Sequence, residues 1–154
     1  MVTAWTKLYK TDFLIRNRLF FEKGILHEDE LFTPCVLLLA QKVLVTDIDF
    51  YRYVIRQGSI MTGKKQIKNA LSIKKIVHEL DLIYQKEDDA KIRKILLDHS
   101  AVIYYQALSK ISKKEASENS LLEYSYLKSH SYSVKNKIRY WVLRINYTLL
   151  KKVI

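Results

Sequence analysis

Residues 67–84 read IKNALSIKKIVHELDLIY, and this stretch decides the fold of the second half of the chain. Its apolar side chains recur every three to four residues, the spacing that places them along one face of an α-helix. The stretch is therefore predicted to form one amphipathic helix. The apolar positions are Ile67, Leu71, Ile76 or Val77, Leu80, and Ile83 or Tyr84.

A second stripe follows from about Asp88 to Ser109, with acidic side chains at its amino-terminal end, where the helix dipole favours them. Beyond it, residues 109–120 are polar, a third helix is predicted near residues 121–128, and residues 129–133 break the pattern. Residues 134–154 are predicted to form a last helix. A helical carboxyl-terminal extension is thus expected over residues 63–154, after a boundary near Thr62 and Gly63. The second stripe comprises Ile92, Ile95, Leu96, His99, Val102, Ile103 and Ala107.

The composition is that of a globular, helix-rich protein. The 154 residues are 49% hydrophobic and 28% charged, which is enough apolar material for one domain with a core. Three glycines and one proline favour helices over tight turns. The single cysteine, Cys35, excludes an internal disulfide framework and suits a reducing cytoplasm. It lies in an apolar run, residues 35–40, so we interpret it as a small packing residue, and that run is too short to span a bilayer.

The net charge of +11 is concentrated near the carboxyl terminus. Residues 1–62 carry 8 basic and 7 acidic side chains, residues 63–109 carry 9 and 6, and residues 110–154 carry 10 and 3. Nucleic-acid phosphates and the anionic cytoplasmic face of a membrane both attract such a segment. Nucleic acid is the less probable partner, since neither an RNA-binding signature nor zinc-finger spacing accompanies the charge.

Two interpretations of residues 134–154 remain equally open. In the first, the segment is an interfacial helix on anionic lipid, because cations alternate with bulky apolar residues and no acid occurs. In the second, its apolar face, including Trp141 and Leu149, packs on the preceding helices. The cations in question are Lys135, Lys137, Arg139, Arg144, Lys151 and Lys152, with Lys128 just upstream.

The part before residue 62 is predicted to be mixed in structure. Residues 12–17 are expected to form a short helix, and a second helix is expected from the acidic stretch at residues 27–30 through about Gln41. Alternatively, this second helix begins at Thr33, acting as N-cap ahead of Pro34. Residues 43–55 are predicted to form a β-hairpin, because Tyr51 and its neighbours alternate between two faces.

Residues 27–30, His27-Glu28-Asp29-Glu30, are the densest cluster of titratable side chains in the chain. At a helix start, backbone N–H groups and the helix dipole favour an ionised carboxylate, which can accept a proton. Asp29 is therefore a candidate general base, with His27 and Glu28 beside it as metal, hydroxyl or ring-orienting groups. In the simpler alternative, the acids only favour a helix start.

Three blocks in this part resemble blocks near the end of the catalytic domain of a family 2 glycosyltransferase. They read AWTKLY at residues 4–9, FFEKGILHEDELF at residues 20–32 and FYRYVIRQGSIM at residues 50–61. The family patterns run roughly W-x-K-L-Y, F-x-x-G-x-x-x-E-D-x-x-F and Y-x-Y-x-x-R-x-x-S-I. Order and spacing both match, and the resemblance covers residues 1 to about 62.

The resemblance implies the tail of a GT-A, Rossmann-like domain that inverts the anomeric carbon of a nucleotide-sugar donor. The fold class expected is an α+β, mainly helical fragment: short helices and a β-hairpin over residues 1–62, then the helical extension. Asp29 would be the catalytic base and Glu28 would orient it or the acceptor. Substrate-binding roles would fall to His27, Trp5, Lys7, Arg56 and Ser59, with Arg56 and Ser59 near the donor diphosphate.

The family's donor-binding blocks and its metal-binding D-x-D strand are not present in these 154 residues. Asp47-Ile48-Asp49 spells D-x-D, but it lies between two β-like runs and is interpreted as a turn. No metal ligand is therefore assigned to this chain, although Mn²⁺ or Mg²⁺ is expected in a complete enzyme. The acceptor would be a glycan or a lipid-linked sugar in cell-surface polysaccharide synthesis, and the location cytoplasmic or at the inner membrane face.

A different class of function remains open beside this one. The chain could be a small basic helical module that binds a membrane surface or nucleic acid, in which residues 27–30 are only a helix start. The remaining histidines, His78, His99 and His130, are interpreted as buried or surface imidazoles, because no acid stands at a spacing that suggests a shared metal site.

Overall fold

A computed structural model describes residues 3–52, 54 and 66–154 of the chain. Throughout these residues the regular structure is helical. The chain divides into two compact units, Met1–Lys64 and Lys65–Ile154. Each unit is built around its own helices.

The first unit contains a 3₁₀ turn, Ala4–Thr6, and two helices, α1 (Thr11–Arg16) and α2 (Glu28–Leu39). Helix α1 confirms the short helix predicted from the sequence. Helix α2 begins within the acidic stretch and not at Thr33, so Pro34 lies inside it. The 3₁₀ turn contacts α2, which folds the amino terminus of the chain back onto this helix.

The predicted β-hairpin at residues 43–55 is wrong, and so is the Rossmann-like fragment to which it was assigned. Residues 43–52 and 54 form no strand, and no sheet occurs in the described part of the chain. The apolar side chains of this segment are exposed, with Leu44 and Val45 each 88% accessible. An isolated pair of strands is only marginally stable in water without a further strand or helix to cover it, and here β-propensity alone does not make a sheet.

The second unit is organised around helices α3 (Gln66–Tyr84) and α4 (Ala90–Leu108), which pack against each other. Both confirm the helices predicted from the two stripes. Asp89 caps α4, since its carboxylate accepts hydrogen bonds from the N–H groups of Lys91 and Ile92. The core between these helices contains the buried side chains Ile76, Val77, Leu80, Tyr84, Ala101, Tyr104, Tyr105 and Leu108.

Helix α5 (Lys113–Glu118) lies within the polar stretch that was predicted only to separate two helices. A capping box explains it: the Ser112 side chain accepts from the Glu115 N–H, and the Glu115 carboxylate accepts from the Ser112 N–H. Helix α6 (Tyr124–His130) follows, starting three residues later than predicted. Local capping therefore makes a helix where hydrophobic periodicity gave no signal.

The predicted single helix over residues 134–154 is broken in the structure. Helix α7 (Val134–Ile145) is followed by a 3₁₀ turn, Tyr147–Leu149, and a short helix α8 (Leu150–Val153). Asn146 interrupts the helix with φ −149° and ψ 100°, and its side-chain oxygen accepts from the Thr148 N–H. The Tyr147 hydroxyl then donates to the carbonyl of Leu108 at 2.6 Å, which anchors the turn on α4.

Candidate functional site

The start of α2 is shaped by residues with left-handed backbone conformations. Gly24 has φ +81° and His27 has φ 62° and ψ 41°. Positive φ is easy for glycine and uncommon for histidine, so His27 is held there by its surroundings. The Glu30 N–H donates to the His27 carbonyl at 3.0 Å, and the helix proceeds from Glu28. Glu28 is exposed at this start, whereas Asp29 and His27 are partly buried.

Asp29 lies close enough to two side chains of the first block to act on their ionisation. Burial lowers the pKa of Lys7, and the carboxylate of Asp29 opposes that effect. Burial raises the pKa of Tyr9, a hydrogen bond with Thr33 lowers it, and Asp29 raises it further. The Lys7 ammonium also donates to the Thr3 carbonyl at 2.7 Å. The Asp29 carboxylate thus acts electrostatically on Lys7, the predicted substrate-binding lysine.

Phe32, one helical turn after Asp29, joins the first two blocks of the chain. Its buried ring meets Tyr9 edge-on, with ring centroids 5.6 Å apart, and lies 4.3 Å from the ring of Phe21. Contacts of this kind contribute beyond their buried area and restrict how the rings can move. The packing therefore holds α2 against the Tyr9 segment.

Trp5 and Tyr51 connect the first block with the third. Their ring centroids are 6.2 Å apart, and about half of each side chain remains exposed, 47% for Trp5 and 48% for Tyr51. Partly exposed aromatic faces of this kind can pack against the apolar C–H face of a sugar ring while polar neighbours bind its hydroxyl groups. Trp5 is thus available to contact a ligand.

The predicted site residues divide into two groups. Trp5, Lys7, His27, Glu28 and Asp29 all lie in the first unit, on α2 or on the amino-terminal segment that contacts it. The other two predicted site residues, Arg56 and Ser59, lie outside the described residues.

Asp47 and Asp49 lie in a segment that contains local hydrogen bonds. The Ile48 N–H donates to the Thr46 hydroxyl at 3.0 Å, and the Phe50 N–H donates to the Ile48 carbonyl at 3.1 Å. Within residues 3–52, 54 and 66–154, no three His, Cys, Asp or Glu side chains come together as a metal site. The metal expected for a complete enzyme stays a prediction.

Cys35, on α2, is partly buried. Burial raises the pKa of its thiol, although a backbone hydrogen bond opposes this effect. A thiol with a raised pKa remains protonated near neutral pH and is a poor nucleophile. This environment suits the packing role expected from its apolar run.

The second unit contains a buried polar network that the sequence did not predict. His130 Nε2 lies 2.9 Å from a carboxylate oxygen of Asp81, and His130 Nδ1 lies 2.8 Å from the Tyr126 carbonyl. The imidazole also stacks on the Tyr126 ring at 4.1 Å. Both ring nitrogens lie near acceptor oxygens, and Nδ1 also lies 2.9 Å from the Ser129 hydroxyl. Burial lowers the pKa of His130, but Asp81 and the Tyr126 carbonyl outweigh burial and raise it.

Glu123 is the centre of a second cluster in this unit. Its carboxylate lies 3.1 Å from Lys74 Nζ and 2.9 Å from His78 Nε2, and it accepts from the Tyr104 hydroxyl at 3.2 Å. Burial raises the pKa of Glu123, but hydrogen bonds from His78 and Lys74 outweigh it and lower the pKa. These contacts tie α3 and α4 to the start of α6.

The two networks of the second unit are structural in character. The His130 and Asp81 side chains are 12% and 7% exposed, so a substrate has little access to them. Glu123 is satisfied by three partners from neighbouring helices. The first unit, with partly exposed Trp5 and Tyr51 rings and with Glu28 exposed at the start of α2, is the better candidate for contact with a ligand.

Comparison of this chain with protein-family models, with curated proteins and with solved structures gave no match. Within residues 3–52, 54 and 66–154, none of the helices combines the length and the apolar character needed to cross a membrane.

Proposed function

We propose that residues 1–62 supply the acceptor side of a glycosyltransferase active site. The reaction would transfer a sugar from a nucleotide-sugar donor to an acceptor hydroxyl. The observation that carries the proposal is the packing of Phe32, on the helix that contains Asp29, against Tyr9 of the first block. This contact brings the first two blocks of the family pattern together, as a shared site would require.

In the proposed reaction, Asp29 takes the proton of the acceptor hydroxyl as its oxygen forms a bond to the anomeric carbon. The bond from that carbon to the donor diphosphate breaks, and the electron pair leaves with the diphosphate. Because attack and departure occur on opposite sides of the carbon, the configuration inverts. A carboxylate within hydrogen-bond reach of the hydroxyl is suited to this role.

Neighbouring side chains would position the acceptor. Trp5 offers a partly exposed ring for the C–H face of a sugar, and the charge of the Lys7 ammonium would attract its polar groups. Glu28, exposed in the first turn of α2, would orient the acceptor or the base, and His27 would border the same place. Correct orientation of reacting groups lowers the barrier by restricting their relative motion before reaction.

The donor side is proposed from the resemblance alone. Arg56 and Ser59 would approach the donor diphosphate, since a guanidinium fork matches phosphate oxygens. A D-x-D motif for the divalent cation would be supplied by polypeptide other than these 154 residues. No step of the proposed reaction uses a metal bound by the described residues.

A chimaeric enzyme tests the proposal. Residues 1–154 would follow the donor-binding half of a characterised family 2 glycosyltransferase, and sugar transfer would be measured against the donor-binding half alone. We expect the chimaera to restore transfer. A chimaera that is folded and binds its donor, yet transfers no more sugar than the donor-binding half alone, would contradict the proposal.

A further inference from the structure

Helix α7 exposes its apolar side chains to solvent. Val134, Ile138, Trp141 and Ile145, here called the outer stripe, are spaced four, three and four residues apart and so lie along one face of the helix. Their exposed fractions are 74%, 51%, 61% and 81%. A surface helix ordinarily turns such a stripe toward the protein core.

The opposite face of α7 is buried although it is largely polar. Asn136 and Arg139 are 0% and 3% exposed, and Leu143 lies beside them in the core. The Asn136 amide donates to the Asp98 carbonyl at 2.9 Å, and Arg139 Nη1 donates to the Asn136 side-chain oxygen at 2.8 Å. These buried hydrogen bonds fix the rotation of α7, because turning the helix would leave them unmade. The outward direction of the stripe is therefore built into the fold.

Cations border the outer stripe on both sides. At 100° per residue, Lys135 lies along one edge of the stripe, and Lys137 and Arg144 lie along the other. All three are exposed. No acidic residue occurs between residues 124 and 154, although the Asp98 carboxylate of α4 accepts hydrogen bonds from the N–H groups of Tyr132 and Ser133 just before α7. Arg139 was grouped with these cations from the sequence, but it is buried and so is not part of the surface around the outer stripe.

We propose that α7 docks on an anionic lipid surface, lying parallel to it with the outer stripe inserted among the headgroups and acyl chains. An apolar stripe bordered by cations is the arrangement by which interfacial helices bind anionic membranes. Trp141 would lie at the headgroup level, where its amphipathic ring is most stable. This inference concerns the second unit alone and does not depend on the proposed function.

Two other partners fit the surface less well. Nucleic-acid phosphates would complement the cations, but they offer no apolar surface to cover the exposed stripe. A second copy of the chain would cover the stripe but would bring cation against cation, since the same charges border it in both copies. Anionic lipid complements both features at once, and for this reason it is the occupant we infer.

Fluorescence of Trp141 tests docking in the whole chain. The protein has two tryptophans, so Trp5→Phe leaves Trp141 as the only indole reporter. We expect its emission to shift to the blue and its quenching by iodide to fall when vesicles of phosphatidylcholine with phosphatidylglycerol are added. Vesicles of phosphatidylcholine alone should have little effect, and high salt should weaken the response.

Matched variants separate the apolar and the charged contributions in vesicle flotation. We expect Ile138→Ser to weaken binding to the anionic vesicles by about 10-fold. Ile95→Ser, at a comparably exposed position on α4, should leave binding unchanged. Lys137→Gln should weaken binding by about 5-fold at low salt. Lys94→Gln, its control on α4, should have no effect. Circular dichroism would verify that each variant is folded.

Four outcomes would overturn the proposal. The first is the absence of binding to anionic vesicles by the folded chain. The second is equal binding to neutral and anionic vesicles. The third is equal loss in Ile138→Ser and Ile95→Ser. The fourth is displacement of the chain from vesicles by a DNA duplex whose binding depends on Lys137 and not on Ile138. In that case the surface would be a nucleic-acid site.

Discussion

At the scale of single residues, His130 is the side chain whose protonation is most directly coupled to folding. It contacts Asp81 on α3 and the Tyr126 carbonyl on its own helix, and the ring of His78 lies 4.8 Å from that of Tyr126. The interactions with Asp81 and Tyr126 raise the pKa of His130 in the folded protein. The folded state therefore binds this proton more tightly than the unfolded chain does.

We predict that His130 stabilises the fold at acidic pH and loses this contribution as pH rises. A group whose pKa is raised by folding contributes fully below its unfolded pKa, 6.5 here, and the contribution disappears as pH rises through the folded value. The difference in free energy of unfolding between the wild type and His130→Gln should therefore shrink from acidic to alkaline pH. Urea unfolding across a pH series measures it.

His99 provides a control of opposite sign for this experiment. Burial lowers the pKa of His99 more than Asp98 raises it. The contribution of its neutral form is present above pH 6.5 and is lost as pH falls. The difference in free energy of unfolding between the wild type and His99→Gln should consequently grow with pH. If the difference in free energy of unfolding between the wild type and His130→Gln stays constant across the pH series, Asp81 does not stabilise the proton on His130.

The sequence identified some of these residues and not others, for a physical reason. Asp29 and Lys7 could be identified from the sequence because both lie in blocks that resemble a known family pattern. Asp81 and His130, like Glu123 and His78, lie on different helices and meet only after packing. No spacing rule along the chain shows such a pairing, so His130 and His78 were expected to be unremarkable imidazoles.

At the scale of helices and turns, α7 and α8 are joined by the buried side chain of Arg139. Its guanidinium donates to the Asn136 side chain at 2.8 Å and to the carbonyls of Val153 and Ile154 at 3.2 and 3.4 Å. The Val153 and Ile154 carbonyls lie at the carboxyl end of α8, where backbone carbonyls have no partner within their own helix. One side chain thus holds the final turn against α7.

We predict that Arg139→Gln destabilises the second unit by about 2 to 3 kcal/mol, because the shorter neutral side chain leaves buried acceptors without donors. Lys137→Gln, a loss of one cation at an exposed position of the same helix, should change stability by no more than about 0.5 kcal/mol. Chemical unfolding followed by circular dichroism compares the two. Equal stability of the two variants would contradict this role for Arg139.

Hydrophobic periodicity predicted α3 and α4 well, because a long apolar stripe reports directly on the buried face of a helix. It missed α5, whose formation depends on the capping box of Ser112 and Glu115. It also missed the break at Asn146, where the backbone is turned by a local hydrogen bond and not by glycine or proline. The hairpin at residues 43–55 failed because strand formation depends on partners elsewhere in space.

At the scale of the whole molecule, the two units carry different proposals. The site around Asp29 belongs to the first unit, and the outer stripe of α7 belongs to the second. In the proposed function the first unit supplies an acceptor site and only part of a donor site. This division leads to a prediction about what the chain can bind by itself.

We predict that the chain alone binds nucleotide-sugars more weakly than about 1 mM, with or without Mn²⁺. One side of a diphosphate site provides too few contacts to offset the loss of freedom on binding. Calorimetric titration with several nucleotide-sugars, each in the presence and absence of metal, measures these affinities. A micromolar affinity that requires Mn²⁺ would place the donor site within this chain and overturn the division proposed for it.

The most direct test of the central claim is the turnover of Asp29→Asn in the chimaeric glycosyltransferase, measured beside Asp12→Asn. Both changes remove an acid from the first turn of a helix in the first unit, and Asp29 is the one proposed as the base. We predict that Asp29→Asn lowers kcat by about 100-fold or more, the scale of losing a general base, while Asp12→Asn leaves it unchanged. Near-normal turnover of Asp29→Asn would contradict its assignment as the base.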